Sequence, residues 1–372
     1  MRVIVLTKRQ YTNRDVIDDR YGRLWEIPRE LVRNGHDVTC VCLSYRKKNS
    51  GEETFLESDG SKIRWISVDL GTFFIVGLLK YLFTVLATLR REKPDVVWSC
   101  SDSIYVILGY YLSRVYKCRS VVDLYDNFES FASYKFPILG YLFRRAVCNS
   151  DGVSCVSERL KTHITQNYGR MKPTTVVTNA VDKQIFCPRD KIACREQLGL
   201  PQDVVLIGSA GDMSSHRGAD IIFTALIECP REFVSSQIAI AGFRSSTTTI
   251  PKAENIHDFG ILAFEDVPVL LNSLDLAVIY NRQSVFGEYC FPQKFYEVLS
   301  CGIPIIGADV GELGVLLKDQ PHLLYEDENV ASFVRAMNNQ LAHLEMPDVA
   351  IPTWRDQARL LDDQMQAIVE CD

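Results

Sequence analysis

Short apolar runs rich in Val and Ile recur along this chain, with longer helical patterns between them. Arg2–Thr7, Asp37–Leu43, Asp95–Ser99, Ser120–Leu124 and Gly152–Val156 each predict a strand buried on both faces. A helical pattern fills 23–34 and is closed by Gly35; Pro28 inside it predicts a kink or a later start. Ser157 is a favourable cap for a helix after the fifth run. The alternation resumes with runs at Val204–Ser209, Gln237–Ala241, His257–Gly260, Leu276–Tyr280 and Ile303–Gly307. Helices are predicted to open near Ala219, and to cover Glu265–Ser273 and Pro292–Cys301. Proline suits the first turn of the last of these, and Gly302 the left-handed position just past it. From Pro352 the chain carries Ala358, Leu361, Met365 and Ile368 at helical spacing, while 46–62 is polar and reads as a loop or hairpin. Strand and helix alternating through two stretches of similar size predict an α/β protein of two Rossmann-like domains. Each would present ligand-facing loops at the carboxyl ends of its strands.

One segment fits two readings. Gly71–Leu89 (GTFFIVGLLKYLFTVLATL) holds a single charge, Lys80, in nineteen residues, close to the length that spans a bilayer. A central charge opposes a span, and Asp95–Ser99 follows as the next strand, so the pattern predicts a crossover helix over the sheet. A helix lying on a membrane surface, with peripheral membrane contact, is the other reading.

Composition adds bounds. A chain of 372 residues, 47% hydrophobic and 24% charged, has the length and content for two domains with full cores. A net charge of −6 leaves no basic footprint for nucleic acid. Twelve cysteines are scattered singly through apolar runs, without a CxxC pair, an HExxH or a Cys/His cluster, so neither a zinc site nor a redox motif is indicated. Unpaired thiols, and an opening straight into a strand with no signal peptide, point to the cytoplasm.

Candidate chemistry concentrates in 275–312. Lys294 and Glu297 are three apart and share a helix face. Lys294 falls in the first turn, where the helix end is already positive and a lysine is unfavourable unless an anion answers it. Glu297 lies amid Phe295, Tyr296, Val298 and Leu299, where a bare carboxylate is costly. A phosphate at the helix end and a sugar hydroxyl on the carboxylate would satisfy both. The spacing also suits a plain surface ion pair, and by itself leaves the two open. Asp126, just past the 120–124 strand, can accept from a sugar hydroxyl, serve as a base, or cap the next helix. The loop GSAGDMSSHRGAD, with Gly211 and Arg217, is a strand-to-helix turn of the kind that cradles phosphates, and Gly22 precedes the first helix in a similar way.

Pro292-x-Lys294-x-x-Glu297-x-x-x-x-Gly302-x-Pro304 resembles the donor-site motif of family 4 glycosyltransferases, in the branch written P-x-K-x-x-E. The likeness extends to GHDV at 35–38, VVTNAVDKQIF at 176–186 and VGEL at 310–313, and so covers nearly the whole chain. It implies the GT-B fold: an acceptor-side domain over 1–182, a donor domain over 183–352, and a closing helix, 353–372, that crosses back to the first. It also implies transfer of a sugar, with retention, from a nucleotide-sugar donor to a glycan or lipid-linked glycan. Glu297 would hold the nucleotide ribose. Lys294 and Arg217 would meet the diphosphate, Gly22 and Gly211 would let backbone amides approach it, and Gly311 and Glu312 would reach the donor through their backbone. No cofactor or metal is implied, and no D-x-D sequence occurs. The chain departs from the family in three places. The acid expected eight positions before Glu297 is Tyr289, with Glu288 one place out of register; an expected arginine is Asp212; and where the family often has a histidine stand Tyr125 and Asp126, the latter read here as catalytic. These departures keep two alternatives in view, a partner subunit that binds without catalysing and a nucleotide-sugar epimerase on the same architecture.

Overall fold

The Val- and Ile-rich runs become the strands of two sheets in the computed structural model, which describes all residues except 12, 13, 47, 49, 132–135, 246, 247 and 372. Contacts divide the chain into two units, Met1–Asn179 together with the segment from Trp354, and Ala180–Thr353.

In chain order the first unit holds β1 (Arg2–Lys8), the short pair β2 (Gln10–Tyr11) and β3 (Arg14–Asp15), α1 (Arg23–Arg33), β4 (Asp37–Ser44), β5 (Gly51–Leu56) and β6 (Lys62–Asp69). There follow α2 (Phe74–Glu92), β7 (Val96–Ser99), α3 (Ser103–Tyr116), β8 (Arg119–Leu124), α4 (Pro137–Asn149), β9 (Gly152–Cys155), α5 (Glu158–Asn167) and β10 (Thr174–Val176). The main sheet has the order β10-β9-β8-β7-β1-β4-β6-β5. All neighbours are parallel except β5, which turns back antiparallel on β6 and makes the polar 46–62 region a hairpin. β1 pairs with β4 from Arg2↔Asp37 to Lys8↔Leu43 and with β7 from Val3↔Val96 to Leu6↔Ser99. Chain order reverses between β1 and β7, which makes the carboxyl ends of these strands the switch point where open α/β sheets bind ligands.

Helix α2 is the crossover over 71–89, and it packs Tyr81, Val85 and Leu89 with Tyr105 and Leu112 of α3 against Ile4, Leu6 and Val97. Among the described residues no helix is long and apolar enough to cross a membrane. The start of α1 is not delayed by Pro28: the helix runs through it from Arg23, with Trp25 and Glu26 N–H both bonded to the Gly22 carbonyl. A proline interrupts a single ladder bond, and burial of Leu24, Trp25 and Leu31 holds the turns on either side. Arg23 is itself fully buried. Its Nε and Nη2 donate to Asp123 at 2.8 and 2.6 Å, and its Nη1 donates to the carbonyls of Val177 and Thr178.

The second unit holds α6 (Lys191–Leu198), β11 (Val205–Ala210), α7 (Asp220–Glu228), β12 (Ser236–Ala241), β13 (Ile256–Asp258), α8 (Val267–Ser273) and β14 (Leu276–Ile279). It continues with α9 (Gln293–Ser300), β15 (Ile305–Ala308), α10 (Glu312–Leu316), β16 (Leu324–Tyr325) and α11 (Val330–Ala342). Its sheet is parallel throughout, in the order β13-β12-β11-β14-β15-β16, and its switch point lies between β11 and β14. Ile207, Ile238, Val278 and Ile306 pack there with Phe223 and Phe333. Pro292 is the cap of α9 rather than its first helical residue, and Gly302 takes φ +75° beyond its end.

The chain then returns to the first unit as α12 (Trp354–Glu370). Ala358, Leu361, Met365 and Ile368 are buried. Gln364 Nε2 donates to the Val153 carbonyl at 3.1 Å, and Asp362 lies 2.7 Å from His36 Nε2.

Candidate active site

At the switch point of the second unit, α9 buries Phe295, Tyr296, Val298 and Leu299. That face fixes where Lys294 and Glu297 stand. The Lys294 side chain reaches inward until its Nζ is buried 3.6 Å from the centre of the Tyr280 ring, with no hydrogen-bond partner. Tyr280 is held in turn by its hydroxyl, which donates to the Asp212 carbonyl at 2.7 Å. Gly211, just past β11, has φ +130°, and a Cβ there would lie 3.1 Å from Lys294 Nζ; a side chain would be strained and crowd the ammonium. Burial pushes the Lys294 pKa down to about 7, opposed by the charges of Asp212 and Glu297 and reinforced by Arg217. Such an ammonium is half charged at neutral pH and has no partner in the protein. The spacing therefore does not produce a simple surface ion pair; Glu297 instead accepts from Gln293 Nε2 at 3.0 Å.

Arg217 stacks on Phe286, its guanidinium carbon 3.8 Å from the ring centre, with Nε 3.7 Å from Asp212. Asp212, which stands where the family motif has an arginine, turns Oδ1 to the N–H and hydroxyl of Ser214 at 2.9 and 2.5 Å, a local turn bond. Gly311 caps α10 at φ +60°, and a Cβ there would lie 2.3 Å from the Gly287 carbonyl oxygen and 3.0 Å from that of Glu288. Only glycine lets this backbone close on the 287–288 turn. Glu312 follows as a buried first residue of α10. Tyr289 is half-buried in the turn that carries its N–H to the Phe286 carbonyl, and Glu288 accepts from Gln283 Nε2 at 3.1 Å. One sheet edge thus gathers Gly211, Arg217, Lys294 and Glu297 around β11 and α9, and Gly311 and Glu312 against the 287–288 turn.

Gly22 and Asp126 belong to the first unit, at its own switch point. Gly22 has φ +72°, and a Cβ there would meet Tyr11 Cε1 at 2.7 Å. Tyr11 is edge-on to Tyr125 with ring centres 5.3 Å apart, and the Tyr125 hydroxyl donates to the Ser101 carbonyl at 2.9 Å. Ser101 is a buried non-glycine residue at φ +96° that accepts from the Lys8 N–H and bonds Thr7 Oγ1 at 2.6 Å. Lys8 ends β1 above the Tyr125 and Phe131 rings, 5.9 and 5.8 Å from their centres. Burial lowers its pKa, while Asp102 and Asp126 work to raise it. Sequence reading missed Lys8 and Tyr280. The available signal for the first was a lysine closing an otherwise apolar strand at the ligand-facing end; the ring under Lys294 read as core.

Comparison with known proteins agrees with both halves of this picture. Residues 23–185 match the family model Glycosyltransferase Family 4, and residues 202–343 match Glycosyl transferases group 1. A D-inositol 3-phosphate glycosyltransferase of Segniliparus rotundus is 25% identical over 186 residues, 47% of this chain and 40% of that protein, so the chain spans less than half the length of this curated relative. Sucrose-phosphate synthase from Thermosynechococcus elongatus superposes with a TM-score of 0.71 at 14% identity, over 99% of this chain and 94% of that one. Anabaena HepE in complex with UDP-glucose superposes with a TM-score of 0.68 at 15% identity, over 100% and 97%. The fold is GT-B, and both matched segments are of glycosyltransferase type.

Proposed function

We propose that this chain, a family 4 glycosyltransferase segment joined to a group 1 segment on the GT-B fold, moves a sugar from a nucleotide-sugar donor to a glycan or lipid-linked glycan with retention at the anomeric carbon. The observation that carries the reading is the Lys294 ammonium. It is buried, lacks a hydrogen-bond partner, and sits in the first turn of α9 beside Gly211 and Arg217. An anion brought there would meet a helix end, a lysine that takes up its missing proton, and a guanidinium able to bind two oxygens. A diphosphate leaving group fits that demand, since its charge grows as the sugar departs and preorganised donors lower the barrier by stabilising it. In this reading Glu297 accepts from the ribose, Gly311 and Glu312 offer backbone groups near the sugar, and Asp126 works from the first unit on the acceptor. UDP-glucose bound by HepE supports a nucleotide-sugar donor by analogy of fold.

The test is a panel of nucleotide sugars incubated with the protein, followed by product analysis and NMR of the anomeric centre. Transfer or slow hydrolysis with retained configuration supports the reading. Conversion of one nucleotide sugar to its epimer would establish the epimerase instead, and tight nucleotide binding with no turnover would establish the non-catalytic subunit.

A further inference from the structure

The layer of α2, α3 and α4 has an outer surface that neither switch point uses. On α2 the inner face is committed to the core, but Phe73 just ahead of it, and Phe74, Ile75, Leu79 and Phe83 along it, face water, with Phe73 75% and Ile75 72% exposed. The apolar surface continues across the layer with Val115 of α3, then Phe136, Ile138 and Tyr141 at the start of α4. An exposed apolar surface of this extent marks an interaction site.

Charge identifies what it meets. Lys80, Arg90, Arg91, Arg114, Arg144 and Arg145 on these three helices are opposed by one acid, Glu92, in a chain whose net charge is −6. Glu92 is already bonded to Arg64 and Arg91. Between α3 and α4 lies a cavity of about 370 Å³ lined by Tyr110, Tyr141, Arg144, Arg145, Cys148 and Asn149. Two guanidinium groups with aromatic walls suit a phosphate headgroup. Phenylalanines standing out from a basic helical layer suit an anionic bilayer surface, whose deformable interface covers them without a matching groove.

We propose that the outer face of α2, α3 and α4 docks the first unit on an anionic lipid surface. The apolar side chains of α2 and α4 enter the headgroup region, and Lys80, Arg144 and Arg145 face the lipid phosphates. Both readings of 71–89 then hold, one on each face of α2: a crossover helix inside and an interfacial helix outside. The proposal uses no residue of the donor site and stands apart from the assigned reaction.

Full-length protein is sedimented with vesicles of phosphatidylcholine alone and of phosphatidylcholine mixed with phosphatidylglycerol, at low and raised salt. Two variants are compared, Phe73→Ser/Phe74→Ser/Phe83→Ser and Lys80→Glu/Arg145→Glu, with circular dichroism and nucleotide binding as fold checks. The expected result is salt-sensitive binding to the anionic vesicles only, weakened about ten-fold or more in each variant with fold and nucleotide binding unchanged. If the serine variant loses its fold, the charge-reversal variant carries the test. No binding of the parent protein to anionic vesicles, or binding that ignores charge reversal, overturns the proposal. So does a dimer in solution that the serine substitutions dissolve without any lipid binding, which would make the face a contact between copies.

Discussion

Replacing Lys294 by methionine should make the empty protein more stable and its donor site weaker. The ordinary lysine pKa of 10.5 falls to about 7 at this position because the ammonium is buried. For a lysine with a depressed pKa, the folded state bears the full cost of charging below its own pKa. That cost shrinks as pH rises from 7 towards 10.5, where the unfolded chain holds the proton that the folded chain has lost. At about 1.36 kcal/mol per pKa unit, the cost is on the order of 4 kcal/mol at neutral pH and about 2 kcal/mol near pH 9. Methionine removes it at every pH, with a small packing change that does not titrate. The stability advantage of Lys294→Met over the parent should therefore shrink by about 2 kcal/mol between neutral pH and about pH 9. Urea unfolding followed by circular dichroism measures this. All four tryptophans, Trp25, Trp65, Trp98 and Trp354, belong to the first unit, so fluorescence reports the first unit separately and should barely change. Calorimetry with UDP, ADP and GDP supplies the other half. The parent should take up a proton on binding near pH 8, seen as a buffer-dependent heat, and the variant should bind roughly 10- to 150-fold more weakly, the range for charge-assisted bonds of about 1.5–3 kcal/mol. A stability gap that does not move with pH, together with binding that takes up no proton, would show that the ammonium is solvated and that the anion argument is wrong.

Glu297→Gln should weaken nucleoside diphosphate binding by roughly 10- to 150-fold while leaving kcat less affected, because ribose contacts change little on the way to the transition state; unaltered binding would move the donor site off α9. Turnover should survive excess EDTA, since the leaving-group charge is assigned to Lys294, Arg217 and backbone amides, and strict dependence on a divalent ion would refute that assignment. Asp123→Asn should destabilise the first unit by about 3–5 kcal/mol in fluorescence-monitored unfolding, because it strands the buried Arg23 guanidinium; a loss below about 1 kcal/mol would show that the pair is solvated.

The strands were legible because apolar runs of period-free Val and Ile need burial on both faces, and helices with a clear apolar stripe fell where the spacing put them. The face shared by Lys294 and Glu297 follows from three-residue spacing alone. What was not legible depends on residues far apart in sequence. Lys8, Ser101, Asp102 and Asp126 meet only because β1, β7 and β8 lie side by side, and Arg23 meets Asp123 across one hundred positions. The burial of Lys294 was equally hidden, since the Tyr280 ring that covers it arrives from another strand. Pro28 misled because local propensity was weighed without the packing that holds α1 on both sides of it.

The return of α12 to the first unit has a consequence for biosynthesis. A ribosome must make the whole of Ala180–Thr353 before it reaches the helix that covers β9 and α1. At about 5–20 residues per second that interval lasts roughly 10–35 seconds. Throughout it, the seat for Leu361, Met365 and Ile368 is open on a nascent sheet, while the second unit, continuous in sequence, can close as soon as it emerges. The first unit is thus begun first and completed second. Its unfilled seat is a surface for a holding chaperone or for a neighbouring nascent chain, and a circular permutant carrying α12 ahead of β1 would fill it before the second unit is translated.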